Sequence, residues 1–265
     1  RNGGVYDVRK CIHVSKGLAV DLQRKQRRVN GVACLAGNSS SDTSNVVDGP
    51  FEGRFGNWVL TQDDVDGVML YRKSLLVCAF ASIFASVPVF LPSDSLTQSS
   101  AALLSDIGFI AAVGSLGIAL QSIHIYMRPL HNALKVFYSV GVAGAVLSAA
   151  LHNFGFVSVV SDDPSVLFAF GWIFVASTGL FFKEVFCFGR AEAFALTVLT
   201  PVLCLGHVSH SLPLGAEKGL LSICMGSLLV FALNKFSMPI TNDLGDKSVF
   251  EYLEQEQMKQ QQNTR

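Results

Sequence analysis

From residue 74 onward the chain alternates between long apolar runs and short polar interruptions, at a spacing that suits helices crossing a membrane. Six runs are long enough to cross a hydrocarbon core of about 30 Å, which takes about 20 helical residues. They are expected near Ser74–Leu91, Ala101–Tyr126, Val136–Val160, Pro164–Phe182, Ala193–Leu212 and Gly219–Leu233. Pro88 and Pro201 fall inside two of them, where neighbouring helices can satisfy the carbonyls a proline frees. Small residues recur at helix-packing intervals, as in Ala111, Ser115 and Ala119 or Gly141, Ala145 and Ser148, and would let backbones approach closely in lipid. The pattern predicts an all-α, polytopic membrane bundle of about six helices spanning 74–235.

The polar interruptions carry an orientation signal. Arg72 and Lys73 precede the first run, Arg128 and Lys135 separate the second from the third, Lys183 and Arg190 separate the fourth from the fifth, and Lys235 follows the sixth. The intervening loops hold only Lys218, beside Glu217. Basic residues are retained on the side from which a protein inserts, so both termini are expected on that side.

Outside the spans, 51–73 is expected to form an amphipathic juxtamembrane element, with Thr61 and Asp64 as a capping box. "QDDVDG" has part of a calcium-loop pattern, but Gln62 and Lys73 stand where carboxylates are needed. Residues 236–265 are expected to form a polar tail with a short helix opened by Ser248 and Glu251. Residues 1–50 are rich in Ser and Gly, and Arg1 to Ser41 holds eight basic residues against Asp7 and Asp21. That composition is expected of an organelle transit peptide followed by a linker, with a small-residue processing site at Val32-Ala33-Cys34. The first residue is Arg1 rather than Met, so the true start is expected upstream.

Composition supports the membrane reading: half of the residues are apolar, 15% are charged, and the mean hydropathy is +0.43. The net charge is zero and no broad basic surface suggests nucleic acid, so the expected partners are the lipid bilayer and other membrane proteins. Six scattered cysteines form no CxxC pair, which argues against a disulfide framework or a structural zinc site.

Candidate chemistry is sparse. At 1.5 Å per residue, His152, His207 and His210 lie about 24, 21 and 26 Å from the basic ends of their spans, and Asp106 enters from the other side to a similar depth. Three imidazoles and a carboxylate could hold a divalent metal that activates water, and Ser148 adds a loose similarity to membrane hydrolases with a Ser-x3-His element. The competing reading makes these interfacial or hydrogen-bonded groups, with no cofactor expected. No phosphate loop, HExxH or GxSxG appears, and the reading leans away from an enzyme.

The remaining candidates lie in "FFKEVFCFGRAEAF", where Lys183 and Glu184 are expected to close one helix and Arg190 and Glu192 to open the next. With Arg72 and Lys73, these are expected to orient the chain or to form an interaction surface on the basic side. The apolar "VFCFG" between the charges should pack against another part of the protein.

Together with "GNWVLTQDDVDGVMLYR", that connection resembles uncharacterised integral membrane proteins of cyanobacteria and plant plastids, grouped as a domain of unknown function. The resemblance covers roughly Gly56 to Lys235 and implies a plastid home, thylakoid or inner envelope, with both termini in the stroma. It implies no activity or catalytic residue. The leading expectation is a structural, assembly or interaction factor for membrane complexes. A small-solute or ion transporter, with Asp106 in its path, and a metal-dependent enzyme using the histidines are the alternatives.

Overall fold

The computed structural model describes residues 45–91, 95–123, 125, 128–151, 155–157, 159–160 and 163–263. It opens with an antiparallel hairpin, β1 (Val46–Glu52) and β2 (Asn57–Thr61), followed by helices α1 (Gln62–Ser86), α2 (Ser95–Ser122), α3 (Arg128–Leu151), α4 (Leu167–Phe170), α5 (Trp172–Phe188), α6 (Ala191–Val208), α7 (Leu214–Phe236), α8 (Ile240–Leu244) and α9 (Lys247–Asn263). Among the described residues five helices are each long and apolar enough to cross a membrane, and 164–170 with α5, which meet at a bend of 61°, pass the same test together and make a sixth if the pair is one span. The all-α membrane bundle expected from the hydropathy pattern is the observed architecture.

The spans follow one another around the bundle, and α7 closes it by packing back on α1. Its core runs along the inner face of α5, where Ile173, Ala176, Leu180 and Phe181 meet Leu75, Leu120, Leu134, Ala145, Leu196 and Phe231. Close approach depends on small residues. A Cβ on Gly108 of α2 would stand 2.7 Å from the Ala85 nitrogen and 2.9 Å from the Ala81 carbonyl of α1, so only glycine lets these backbones touch. The Gly141, Ala145 and Ser148 stripe is buried; in the other stripe Ser115 and Ala119 are buried, with Ala112 taking the place of the exposed Ala111.

Segment 51–73 differs from the single amphipathic element expected. Trp58 and Leu60 alternate with exposed Asn57 and Val59, a period-two pattern that makes strand β2, and they pack with Val68 and Leu244 in a small second core. Thr61 and Asp64 do form the capping box, with Thr61 Oγ1 2.7 Å from Asp64 Oδ2. The helix they open continues to Ser86, so the juxtamembrane turns and the first span are one element. In the tail, Asp246 caps α9 by accepting from the Ser248 amide at 3.0 Å, so Ser248 lies two positions inside the helix rather than at its cap.

Candidate functional site

At the hairpin end of the bundle, α1, α5, α7 and α8 bring five charged side chains into one buried network. Arg72 of α1 directs Nε, at 2.7 Å, and Nη2, at 2.6 Å, to Asp243 Oδ2 of α8. Lys235, in the last turn of α7, donates to Asp243 Oδ1 at 2.6 Å and stands 2.5 Å from Glu184 Oε2 of α5. Glu184 Oε1 accepts from the Tyr71 hydroxyl at 3.0 Å and from Lys183 Nζ at 3.1 Å. Glu184 has no exposed surface and Lys235 only 1%, so water does not screen the network. Charges so enclosed persist because each faces an opposite charge, and removing one partner typically costs about 3–5 kcal/mol.

Burial corrects the picture of Arg72, Lys183 and Glu184 as charges on a wet connection. Helix α5 does not stop at Phe182 but runs on to Phe188, which carries Lys183 and Glu184 a full turn inside it, under α7 and α8. The αL conformation of Gly189, φ 61°, then ends the helix. Lys73 is exposed, and Arg190 and Glu192 sit at the edge of the network, 3.6 Å apart, with Asn234 of α7 donating to Glu192 at 2.8 Å. Of the apolar "VFCFG" stretch only part finds a partner here: Phe186 is 77% exposed and Cys187 is exposed, while the Phe188 ring lies 4.5 Å from Lys235 Nζ and 5.4 Å from Lys183 Nζ, so that its π face covers both ammonium groups.

The sequence pattern missed Tyr71 and Asp243, and treated Lys235 only as a topological charge. The available signal was the placement of ionisable residues within otherwise apolar helix ends, which in a membrane protein calls for a named counter-charge. Nothing in the spacing identifies the counter-charge, because Arg72 and Asp243 are 171 residues apart.

Asp106, His207 and His210 belong to the other end and do not gather. Asp106 accepts from the backbone amides of Phe156 and Val157 at 3.0 and 2.8 Å. His207 Nδ1 lies 3.2 Å from Glu217 and Nε2 3.3 Å from the Val160 carbonyl. His210 is exposed just past α6, with φ 51°, and His152 lies outside the described residues. Among the described residues no group of three His, Cys, Asp or Glu side chains is placed to hold a metal ion. Asp106 and His207 bond instead to backbone groups of Phe156, Val157 and Val160, His207 also to Glu217.

Around the network, the extramembrane pieces are tied together. Lys247 of α9 meets Asp64 of α1 at 2.8 Å, Phe55 stacks on Tyr252 at 4.2 Å, and the Arg54 amide donates to Asp246 Oδ2 at 2.7 Å. Burial pushes the Asp246 carboxyl up, but hydrogen bonds from the Ser248 hydroxyl and from the Arg54 and Ser248 amides outweigh it and hold it below its ordinary value. The hairpin leaves Val46 (43%), Val47 (52%) and Val59 (36%) exposed. Elsewhere, an apolar cleft of about 440 Å³ between α5 and α6, walled by Phe168, Trp172, Val175, Pro201 and Leu205, carries only Thr178 and Cys204 as polar side chains.

Residues 118–252 match the family model described as "Uncharacterized integral membrane protein (DUF2301)". The matched stretch contains Lys183, Glu184, Lys235 and Asp243 and leaves Tyr71 and Arg72 before it. No curated protein and no solved structure matches the chain.

Proposed function

The chain belongs to the DUF2301 family of uncharacterized integral membrane proteins, and on that footing we propose that it is an interaction or assembly factor that docks membrane-protein partners through its hairpin. One observation carries this reading: the hairpin is locked to α9 and, through Leu244 of α8, to the network end, yet presents Val46, Val47 and Val59 outside the spans. A rigid scaffold with an open strand edge and apolar side chains is the arrangement by which an extended segment of a partner adds to a sheet. The charges that would serve a solute path are paired with each other at one end and with backbone at the other, which favours docking over transport.

Gentle solubilisation of native membranes should release the protein in a defined stoichiometric complex, and Val47→Lys with Val59→Lys should return it to the monomer without altering its unfolding. A wild-type protein that is monomeric in native membranes would overturn the proposal. The plastid membrane, thylakoid or inner envelope, with both termini stromal, is the proposed setting, supported by the basic, acid-poor segment 1–41 and the distribution of Lys and Arg. Fractionation of a full-length reporter fusion into a non-plastid membrane would exclude it.

A further inference from the structure

Arg72 and Lys235, from two different spans, converge on the two oxygens of one carboxylate. A guanidinium presenting two N–H groups beside an ammonium is the donor set that recognises an oxyanion, and here the occupant comes from the chain itself. Asp243 sits on α8, a helix of five residues between Pro239 and Gly245. Gly245 has φ 76° and ψ −159°, a conformation glycine reaches without strain. Only Asp243 and Leu244 of α8 are fully buried, and besides the packing of Leu244 and the half-buried Ile240 on the small second core the segment is held by the same ionic contacts an incoming anion would make, with Arg72 Nη2 also donating to the Pro239 carbonyl at 3.1 Å.

The geometry points to a phosphate-binding site in which Asp243 is an internal stand-in, displaced with the strap of residues 239–245 when a phosphate oxyanion takes its place between Arg72 and Lys235. Charge favours phosphate over another carboxylate. Among the described residues the ion pairs of Arg72, Lys183 and Lys235 are with Glu184 and Asp243, which leaves one buried positive charge in excess. With Asp243 withdrawn the excess is two, the charge that a phosphate dianion neutralises. Phosphate also offers more acceptor oxygens than the carboxylate, enough for the Arg72 N–H released from Pro239. The site lies at the ends of α5 and α7, where both a dissolved phosphate and the phosphate of a lipid headgroup could arrive. This inference concerns a ligand and does not depend on the hairpin's partner.

Hydrogen exchange on the full-length protein in neutral detergent tests it. Inorganic phosphate should speed exchange at the amides of 240–246, and within the hairpin only around Trp58 and Leu60, which Leu244 packs against. If only phosphatidic acid in phosphatidylcholine vesicles has this effect, the source is a lipid headgroup. Asp243→Asn weakens the internal competitor and should tighten phosphate binding by on the order of tenfold, because the apparent affinity of a site is reduced by the fraction of molecules in which it is closed. Gly245→Ala strains the closed strap without touching a charge and should shift affinity in the same direction. The site is excluded if neither phosphate nor phosphatidic acid alters strap exchange and neither variant binds phosphate more tightly than wild type. An acceleration reproduced by chloride at equal ionic strength excludes it too.

Discussion

The two ends of the bundle both place ionisable side chains where helices meet, and use them in different ways. At the hairpin end, Glu184, Lys235, Asp243 and Arg72 bond to one another across four helices, and all are nearly inaccessible. At the opposite end, Asp106 accepts from the Phe156 and Val157 amides and His207 lies beside the Val160 carbonyl, with Glu217 as their one charged partner among the described residues. A network of mutual charges concentrates the consequence of any one loss, because the surviving partners remain buried and uncompensated. A charge that caps a loop forfeits only its own hydrogen bonds, and the loop can turn to water. The hairpin end should therefore respond as a unit and the opposite end piece by piece.

Glu184→Leu is the most severe way to test that contrast. It leaves Lys183 and Lys235 facing each other and Tyr71 without its acceptor, and should cost about 3–5 kcal/mol in unfolding followed in detergent. Pairing it with Lys235→Met should restore much of the loss, since replacing both partners of a buried ion pair by apolar residues of similar volume is often near neutral. A single substitution costing less than about 1 kcal/mol would show that the charges are screened as surface pairs are. Asp106→Ala should cost less, about 1–3 kcal/mol, and should deprotect the Phe156 and Val157 amides in hydrogen exchange while those of α8 stay as they are.

That contrast was only half visible beforehand. Hydropathy found an apolar helix for each expected span, though not its bounds, since α3 runs from Arg128 to Leu151 rather than from Val136 to Val160. Lipid imposes a length and an apolar composition that a single sequence displays directly. The Thr61–Asp64 capping box was equally plain, since its partners are three residues apart. Its neighbour, the hairpin, was passed over although Gly53 and Gly56 mark a turn and Trp58 and Leu60 alternate with polar or exposed positions; an eleven-residue stretch before a helix reads too easily as more helix. The network was illegible for another reason. In a single sequence a charge marks the point where a span ends, which puts Lys183 and Glu184 in a connection, and only tertiary pairing with Lys235 and Asp243 makes their burial tolerable. The same locality misled the metal reading: matching depth put Asp106 and His207 at one level, but the neighbours that claim them are backbone groups of a loop with no periodic signature.

Because Asp106 and His207 bond to backbone groups only a few residues apart in the chain, at Phe156, Val157 and Val160, their effects should not be independent. His207→Ala removes the contacts to Glu217 and the Val160 carbonyl and should cost about 1 kcal/mol. Combined with Asp106→Ala, it should depart from additivity by about 0.5 kcal/mol or more, as expected for residues coupled through a shared segment. Full additivity would mean that the loop is held at two unrelated points. Neither substitution should alter coupling between Glu184 and Lys235.

The smallest effect separates the network from the contact just outside it. Asp246 is held below its ordinary value in the folded protein, so the folded state binds a proton there less readily than the unfolded chain. Its contribution is therefore complete above the unfolded carboxyl value and fades as pH falls through the lower folded one, below about pH 4. In that window the Arg54 and Phe55 amides should lose exchange protection as Asp246 and Ser248 release the turn between β1 and β2. Asp246→Asn should flatten this acid step while leaving the α8 amides as protected as in wild type. If the α8 amides open in step with Arg54, the hairpin contact and the buried network are one cooperative unit, and the boundary between them has to be drawn further out.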